Sequence, residues 1–409
     1  MTPIGCNSEP VPDPTTADLR RLWDGFCDDL KAGADHVLDP DQPWDATDRT
    51  EGLRHLLRSL ARGVSTTIEG GDHEHPELAW VHPMKFGQDN PDGLYQAARV
   101  DLSHTYRLSG NVGSVRYLGF TMMSFDFDGG PIEQLLNLNG DQLGAAADGG
   151  FSVVFSPDPP PPGSDDDTWF QLPAHRSNLM VRQFFGDWEA EVPADLHLEC
   201  IDPGPAVSRL DPDGLSSGLR QLLRLSVAVP AFWTGFGRRH LDRGEVNTFG
   251  HVSATPESTM SKGGSPDQSY GQCWWRVAED EALLYEVEVP ECSYWGVQLG
   301  DVWYQSLDWV NRQSSLNGQQ AVIDDGVFRA VISHREPGIA NWLDTTGASQ
   351  GCITYRWNQS ASAPVPSLRL VPFDDVADHL PADTARLTPD ERAESLRRRR
   401  RGALRRFRR

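Results

Sequence analysis

Between Pro290 and Trp357 the chain repeats a two-residue alternation that only a half-buried β-strand satisfies. In Tyr294-Trp295-Gly296-Val297-Gln298-Leu299, Trp295, Val297 and Leu299 fall on one face and Tyr294, Gly296 and Gln298 on the other. Successive strand side chains point to opposite faces, so the first set marks a core and the second a surface with polar work to do. Five of the thirteen tryptophans lie in this stretch. A second strand-like run closes it at Cys352–Arg356. The polar, aromatic block between them (Asp301, Trp303, Tyr304, Asp308, Trp309, Asn311, Arg312) is too polar for a core and too aromatic for ordinary surface. It reads either as a platform for a sugar or planar ligand or as a small core beneath a long loop.

Most of the chain shares this β character. Candidate strands are Ala97–Leu102, Thr105–Ser109, Ser114–Phe125, Gly150–Phe155, Met180–Asp187 and Glu189–Leu198, then Gln272–Arg276, Ala282–Val289, Tyr294–Leu299, Gly326–Ile332 and Cys352–Arg356. Turn clusters separate them, and the 38 glycines and 30 prolines suit many short strands. Helical periodicity is confined to a few segments. Leu19, Leu22, Trp23, Phe26 and Leu30 form one stripe over Thr16 to Ala32, and Leu53, Leu56, Leu57 and Leu60 another over Arg49 to Gly63, with Asp48 and Glu51 resembling a capping box. A third helix spans Gly214 to Gly237, with Pro230 expected to end or kink it. A fourth opens at Thr388-Pro389-Asp390-Glu391 with an N-cap, Pro at the first position and Glu at the third. The expected organisation is a disordered arm (1–14), a helical hairpin (15–70), a first β-sandwich unit (71–210), a bridging helix (211–245), a second β-sandwich unit (246–375) and a C-terminal helix with an Arg-rich tail (376–409).

Charge is unevenly spread. The formal net charge is −22, yet the last thirteen residues hold nine arginines and no acid, which leaves −31 on the remainder. So acidic a body repels nucleic acid. The tail is a candidate contact to an anionic surface, or it lies against its own acidic body, and removal of Arg397–Arg409 is expected to leave folding intact. No apolar run is long enough to span a membrane. The N-terminus has neither a basic nor an apolar leader region, which favours the cytoplasm. Six scattered cysteines without a C-x-x-C pair read as free, mostly buried thiols.

The residues with chemistry fall into a few groups. Asn90-Pro91-Asp92-Gly93 is a turn. It leads into a strand whose alternation places Arg99 and Asp101, with Tyr95, on one face, and Arg107 follows on the next strand. Together with Asp89 these residues either bind a polar substrate or close a hairpin through an Arg–Asp pair. In Asp72-His73-Glu74-His75-Pro76-Glu77 the two histidines have metal-pair spacing, but Gly70-Gly71 and Pro76 make the segment an acidic surface loop. No nucleophile elbow, phosphate loop or dinucleotide fingerprint is present.

YWGVQLGDVW, DDGVFRAVIS, the PGIANWLDT run and CITYRW resemble the domain of unknown function 1214 family, in its actinobacterial type with an accompanying N-terminal domain. The matching positions are Pro290, Tyr294, Trp295, Gln298, Leu299, Asp325, Gly326, Pro337, Asn341, Trp342, Leu343 and Arg356, with DNPDGLY and TYRLSGNVG similar to the accompanying half. The likeness covers most of residues 15–400. It implies a mainly β fold of two jelly-roll-like β-sandwich units with helical additions, and related folds include glycan-processing enzymes.

The reading that follows is a metal-independent hydrolase or lyase, without a cofactor, acting on a polar or glycosylated small molecule at the seam of the two units. Asp89, Asp92 or Asp301 would be the acid or base. Tyr95, Arg99, Arg107, Tyr294, Gln298, Trp303, Asp308, Arg312, Asn341 and Trp342 would hold the ligand. The alternatives are a non-catalytic small-molecule or carbohydrate-binding protein and an interaction protein whose basic tail recruits a partner.

Overall fold

A computed structural model describes residues 15–81, 85–124, 133–163, 168–205, 210–253 and 264–407. The expected arm (1–14) and the end of the Pro-rich insert (164–167) lie outside them. The chain opens with α1 (Thr16–Leu38) and α2 (Ala46–Thr67). The strands β1 (Ala79–Trp80), β2 (Gly93–Asp101), β3 (Tyr106–Asn111), β4 (Tyr117–Ser124), β5 (Glu133–Asn139), β6 (Gly150–Ser156), β7 (Trp169–Gln171), β8 (Arg176–Phe184) and β9 (Asp195–Cys200) follow. They form two sheets, in the orders β1-β2-β8-β4-β5 and β7-β6-β3-β9. Leu118, Phe120, Leu179 and Val181 from the first sheet meet Leu108, Val153, Phe155 and Leu198 from the second in one buried core. That is a sandwich, because each sheet hides one alternating face against the other.

α3 (Pro212–Leu223) and α4 (Val229–Asp242) lead to the second unit. Its strands are β10 (His251–Ser253), β11 (Gln268–Arg276), β12 (Glu281–Glu288), β13 (Tyr294–Leu299), β14 (Ser315–Asn317), β15 (Ile323–Asp324), β16 (Val327–Ser333), β17 (Trp342–Asp344), β18 (Gln350–Asn358) and β19 (Ser367–Pro372). One sheet runs β10-β11-β18-β13-β14 and the other β15-β16-β12-β19, with β17 beside β16. Trp275, Trp295, Val297, Leu299, Ile353, Tyr355 and Trp357 pack against Leu283, Tyr285, Val287, Phe328 and Ile332. The protein is thus mainly β, two jelly-roll-like sandwiches with helical additions.

The helices depart from their sequence-based outlines in instructive ways. α2 starts three residues early, capped reciprocally by Asp45 and Asp48 rather than by Asp48 and Glu51. Its buried face is Gly52, His55, Ser59 and Gly63, while Leu57 is 64% exposed and Leu53 also lies on the surface. Small residues let the helix approach closely: a side chain at Gly52 would collide with Trp303 and Val37. On α1, likewise, Leu19 and Trp23 are exposed and only Phe26 of the predicted stripe is buried. Pro230 does not end its helix. A π turn over Arg224–Ala228 precedes it, the Val229 N–H reaching back to Arg224 O, and the widened turn absorbs the imide.

The C-terminal helix, α5 (Pro389–Arg406), begins where expected, with Thr388 and Glu391 capping reciprocally. It docks rather than trails. Arg392, Arg399 and Arg406 are buried at seven-residue spacing, two helical turns, and therefore share one face. Arg399 donates to Trp309 O and Ser315 Oγ, and Arg406 to Pro91 O at 2.8 Å while lying 4.1 Å over the Trp188 ring. Gly402 presses on Trp188, and Phe407 tilts against Trp309. This reverses the expectation that Arg397–Arg409 is dispensable. No helix among the described residues is long and apolar enough to cross a membrane. Truncation before Arg397 uncovers Trp188 and Trp309 and is expected to cost roughly 3–5 kcal/mol, the scale of losing a buried aromatic contact. Urea unfolding followed by tryptophan fluorescence measures it, and an unchanged midpoint would contradict the docking.

Candidate functional site

The two sandwiches meet through the outer faces of their first sheets, and alternation decides what they present. On β13, Trp295, Val297 and Leu299 enter the core, while Tyr294, Gly296 and Gln298 face the first unit. On β18, Ile353, Tyr355 and Trp357 are core, so Arg356 faces the seam. From the first unit come Tyr95 on β2, Tyr117 and Thr121 on β4, and Arg182 and Phe184 on β8, opposite in parity to Leu94, Phe120 and Val181. Tyr117, Phe184 and Tyr294 pack together there.

The segment before β2 threads into this seam. The predicted turn forms, with Gly93 N donating to Asn90 O. Asp92 is 2% exposed and accepts from Trp188 Nε1 (2.7 Å), Asn317 Nδ2 (2.7 Å) and Tyr294 OH (2.7 Å). Burial pushes its carboxyl above the usual range, while the Tyr294 hydrogen bond and the Arg406 guanidinium pull it back. Burial and the Asp92 charge push the Tyr294 phenol well up. Gly296 is required below: a side chain there would strike Tyr294 OH and approach Asp92.

Four residues upstream the chain is strained. Gln88 (φ 55°) and Tyr304 (φ 63°) both adopt the left-handed backbone that non-glycine residues avoid, and Gln88 N donates to Tyr304 O. The distortion turns the Gln88 carbonyl toward the Arg356 guanidinium and its side chain toward Gln298, whose Nε2 also reaches Asp89 O at 2.8 Å. Arg356 is buried, bonded to Gln298 Oε1 and Gln88 O, with its guanidinium 5.7 Å from the Tyr270 ring. Among the described residues no carboxylate is ion-paired with it. Arg182, buried on the facing sheet, donates to Thr121 Oγ1 at 2.7 Å. Burial raises the Tyr95 and Tyr270 phenols, and both arginines partly offset this, which places the four groups in one neighbourhood.

A second polar cluster adjoins the first. Asp89 accepts from Ser306 N (3.0 Å) and Ser306 Oγ (2.7 Å). Lys85 donates to Ser306 O and Leu307 O, and burial lowers its ammonium while Asp89 partly restores it. Asp301 accepts from Trp303 N, Gln305 N and Gln305 Nε2 within 3.0 Å. Burial nevertheless pushes it up to about 7, against the Gln305 N–H and Lys85. Arg58 on α2 donates to Gln305 Oε1, and burial drives the neighbouring His55 imidazole down to about 4, so it is neutral at physiological pH.

The predicted site residues therefore separate. Asp89, Asp92, Tyr95, Tyr294 and Gln298 meet at the seam, with Asp301 beside it. Arg99 lies four residues along β2 from Tyr95, about 13 Å away by strand rise, and donates to Gly71 O. Arg107 pairs with Glu199 on an exposed face. Trp303 packs with Val37 and Trp44 and donates to Asp48 O. Asp308 holds the turn at Asn311, and Arg312 pairs with Asp344. Asn341 bridges Val322 O and Arg329 O, and Trp342 donates to Ser333 O. These last residues brace the loops of the second unit instead of facing a ligand. Arg182, Arg356, Tyr270, Lys85 and His55 belong to the site but were not predicted for it. The available signal was an arginine inside the apolar runs LMVRQFF and CITYRW, on the non-core parity of a central strand.

The arrangement defines a two-unit β-sandwich protein with a buried, polar, arginine-bearing seam. No family model matches the sequence, and no curated protein matches it. Among solved structures, an uncharacterized protein from Burkholderia cenocepacia is 33% identical over 87% of this chain and 98% of its own, with a TM-score of 0.80. The chain belongs to the same family as that protein. A protein from Vibrio parahaemolyticus is 13% identical over 78% of this chain and 96% of its own, at a TM-score of 0.48.

Two consequences are measurable. Tyr294→Phe removes the hydroxyl that joins Asp92 to Asn90 and should destabilise the protein by about 1–3 kcal/mol, because Asp92 loses a donor without regaining water. Chemical denaturation reads this, and a change below the measurement error would argue against the bridge. Folded Asp301 keeps its proton up to about 7, whereas the unfolded carboxyl releases it near 3.8. Between these values the folded state holds the extra proton, so its contribution to stability falls as pH rises, by up to about 1.4 kcal/mol per unit, and levels off above 7. Unfolding free energies at roughly pH 5 and roughly pH 8 should show a smaller decrease in Asp301→Asn than in the parent. Equal decreases would place the Asp301 carboxyl at its ordinary value.

Proposed function

We propose that the seam binds a small polar molecule carrying a carboxylate or phosphate, held between Arg356 and Arg182 and flanked by Tyr95 and Tyr270. The observation that carries this reading is Arg356: a buried guanidinium that, among the described residues, is bonded to neutral groups alone. Burying such a charge without a counter-charge is costly, and an anionic ligand would supply the missing partner. Arginine also suits the role, since its planar fork matches carboxylate and phosphate oxygens. The strained Gln88–Tyr304 pair beside it fits a site whose geometry is held in advance of binding. Binding is favoured over catalysis by Asp92 and Asp89, because fixed protein donors already engage their oxygens. A glycan platform is weakened by Trp303 and Trp342, both spent on packing and backbone contacts.

One observation favours a second reading, that of a hydrolase or lyase. Asp301, raised to about 7 beside Lys85, has the proton affinity of an acid–base group working near neutrality. We also infer that the second unit is a member of the domain of unknown function 1214 family, since Tyr294, Gln298 and Arg356 of the family-like motifs converge on this one seam.

The test is a thermal-shift screen of small carboxylates and phosphorylated metabolites, with titration calorimetry on the compounds that stabilise. Arg356→Gln and Arg182→Gln should each weaken binding by about tenfold to a hundredfold, the scale of a lost charged hydrogen bond. Hits that bind both variants as tightly as the parent would sink the proposal. For the second reading, Asp301→Asn should abolish turnover of a bound compound while preserving its affinity.

A further inference from the structure

The segment Asp72–Glu77 contributes to a different cluster, at the far end of the first unit from the seam. We propose that Glu74, His104, Cys200 and Asp202 form a binding site for a divalent ion of the zinc class. Three chain segments meet there. His104 sits in the turn after β2, its N–H donating to Asp101 O. Cys200 ends β9 and Asp202 follows it. Glu74 reaches over from the loop that joins α2 to the sandwich.

Donor type and spacing both point to this ion. One imidazole, one thiol and two carboxylates are a nitrogen, sulfur and oxygen set that zinc accepts, whereas calcium and magnesium take oxygen alone. Around a tetrahedral zinc, donors bonded at 2.0–2.3 Å stand about 3.3–3.8 Å apart. Here His104 Nε2 and Glu74 Oε1 are 3.9 Å apart, and Cys200 Sγ and Asp202 Oδ1 are 3.7 Å apart. His104, Cys200 and Asp202 offer ligand atoms all within 4.8 Å of one another. A contraction of about 1–1.5 Å brings these three to tetrahedral spacing, and Glu74 joins them from the side of His104.

The surroundings hold these groups in place. Gly204 N donates to Glu74 Oε2 at 2.7 Å, which leaves Oε1 directed at His104, and Thr105 N donates to Asp202 Oδ1. This is the way backbone donors orient carboxylate ligands. The loop bearing Glu74 is fixed by Asp72, which accepts from Glu74 N and His75 N, and by Tyr106 OH donating to His73 O. Cys200 is more than nine-tenths buried, and its thiol donates to the Asp202 carboxylate. Among the described residues neither Glu74 nor Asp202 has an arginine or lysine ion pair, and the one charged partner of Glu74 is the His104 imidazole at 3.9 Å. Two carboxylates brought to one place repel each other unless a cation joins them, and the Cys200 thiol gives up its proton to bind such an ion. Such an ion would tie the helical hairpin's exit loop to the edge of the first sandwich.

The experiment uses cobalt(II) as probe on the full chain after treatment with chelator. One equivalent should give visible tetrahedral absorption and a sulfur-to-metal band in the near ultraviolet, both displaced by zinc. Cys200→Ser should lose the sulfur band, and Glu74→Gln and Asp202→Asn, at exposed or half-exposed positions, should each weaken cobalt binding by about tenfold or more. Cobalt spectra unchanged in Cys200→Ser, affinity unchanged in both carboxylate variants, or no tetrahedral spectrum in the parent protein would each overturn the assignment.

Discussion

The Asp92 carboxylate is the point at which three parts of the molecule become one. It is almost wholly buried, and its oxygens are taken by Trp188 of the first unit and by Tyr294 and Asn317 of the second. Arg406 and Arg399 of the C-terminal helix lean on it electrostatically. A carboxylate removed from water is tolerated only when donors replace the lost hydration, so the loss of any one of these groups leaves the others facing an unsatisfied charge. That requirement couples elements more than two hundred residues apart in sequence. It also explains why Asp92, although it stands where an acid–base group was expected, serves as a junction.

Alternation then determines what the seam can be. Each facing sheet spends one parity on its own core, and the other parity meets across the interface. If those positions were apolar, the two units would fuse into one dry core. They are instead Tyr95, Arg182, Gln298, Tyr294 and Arg356, which must find hydrogen bonds inside the interface. Gln298 and Arg356 do so with amides and backbone carbonyls, Arg182 has the Thr121 hydroxyl among its partners, and Tyr294 bridges the Asn90 amide and the Asp92 carboxylate. The strained backbone at Gln88 and Tyr304 is the local consequence of bringing a loop between two sheets close enough to serve them.

Much of this was legible from period and turn chemistry. The parity of Tyr294 to Leu299, the Asn90–Gly93 turn and the Thr388–Glu391 cap were readable because each is fixed by residues within a few positions of one another. The face of α2 was not, because counting leucines assumes that the bulky side buries. Here a close approach to Trp303 selects Gly52, His55 and Ser59 instead. The candidate ligand residues failed in the same way wherever their partners are distant in sequence. Trp303, Asn341 and Arg312 look like a binding surface until Asp48, Val322 and Asp344 arrive to occupy them. Arg182 and Arg356 were overlooked because a single arginine in an apolar run looks like noise unless its parity is traced to the opposite sheet.

The C-terminal helix shows how composition misleads when the geometry is missing. Nine arginines in thirteen residues suggest a polyanion-binding tail. Helical spacing divides them: Arg399 and Arg406 lie on the buried face with Arg392, while Arg397, Arg398, Arg400, Arg401 and Arg405 face solvent. Arg399 and Arg406 are desolvated enough to lower their guanidiniums to about 10 and about 9, and they are held by carbonyls and by the faces of Trp188 and Trp309. Guanidinium stacking on indole offsets part of the lost hydration where ammonium, more strongly hydrated, would not, which is a reason for arginine rather than lysine along this face. Because Arg406 bonds the carbonyl of Pro91, the residue before Asp92, the helix grips the very turn that places Asp92 in the seam. Docking of the helix and closure of the seam are therefore one event, and whatever loosens one end of the molecule is felt at the site between its two units.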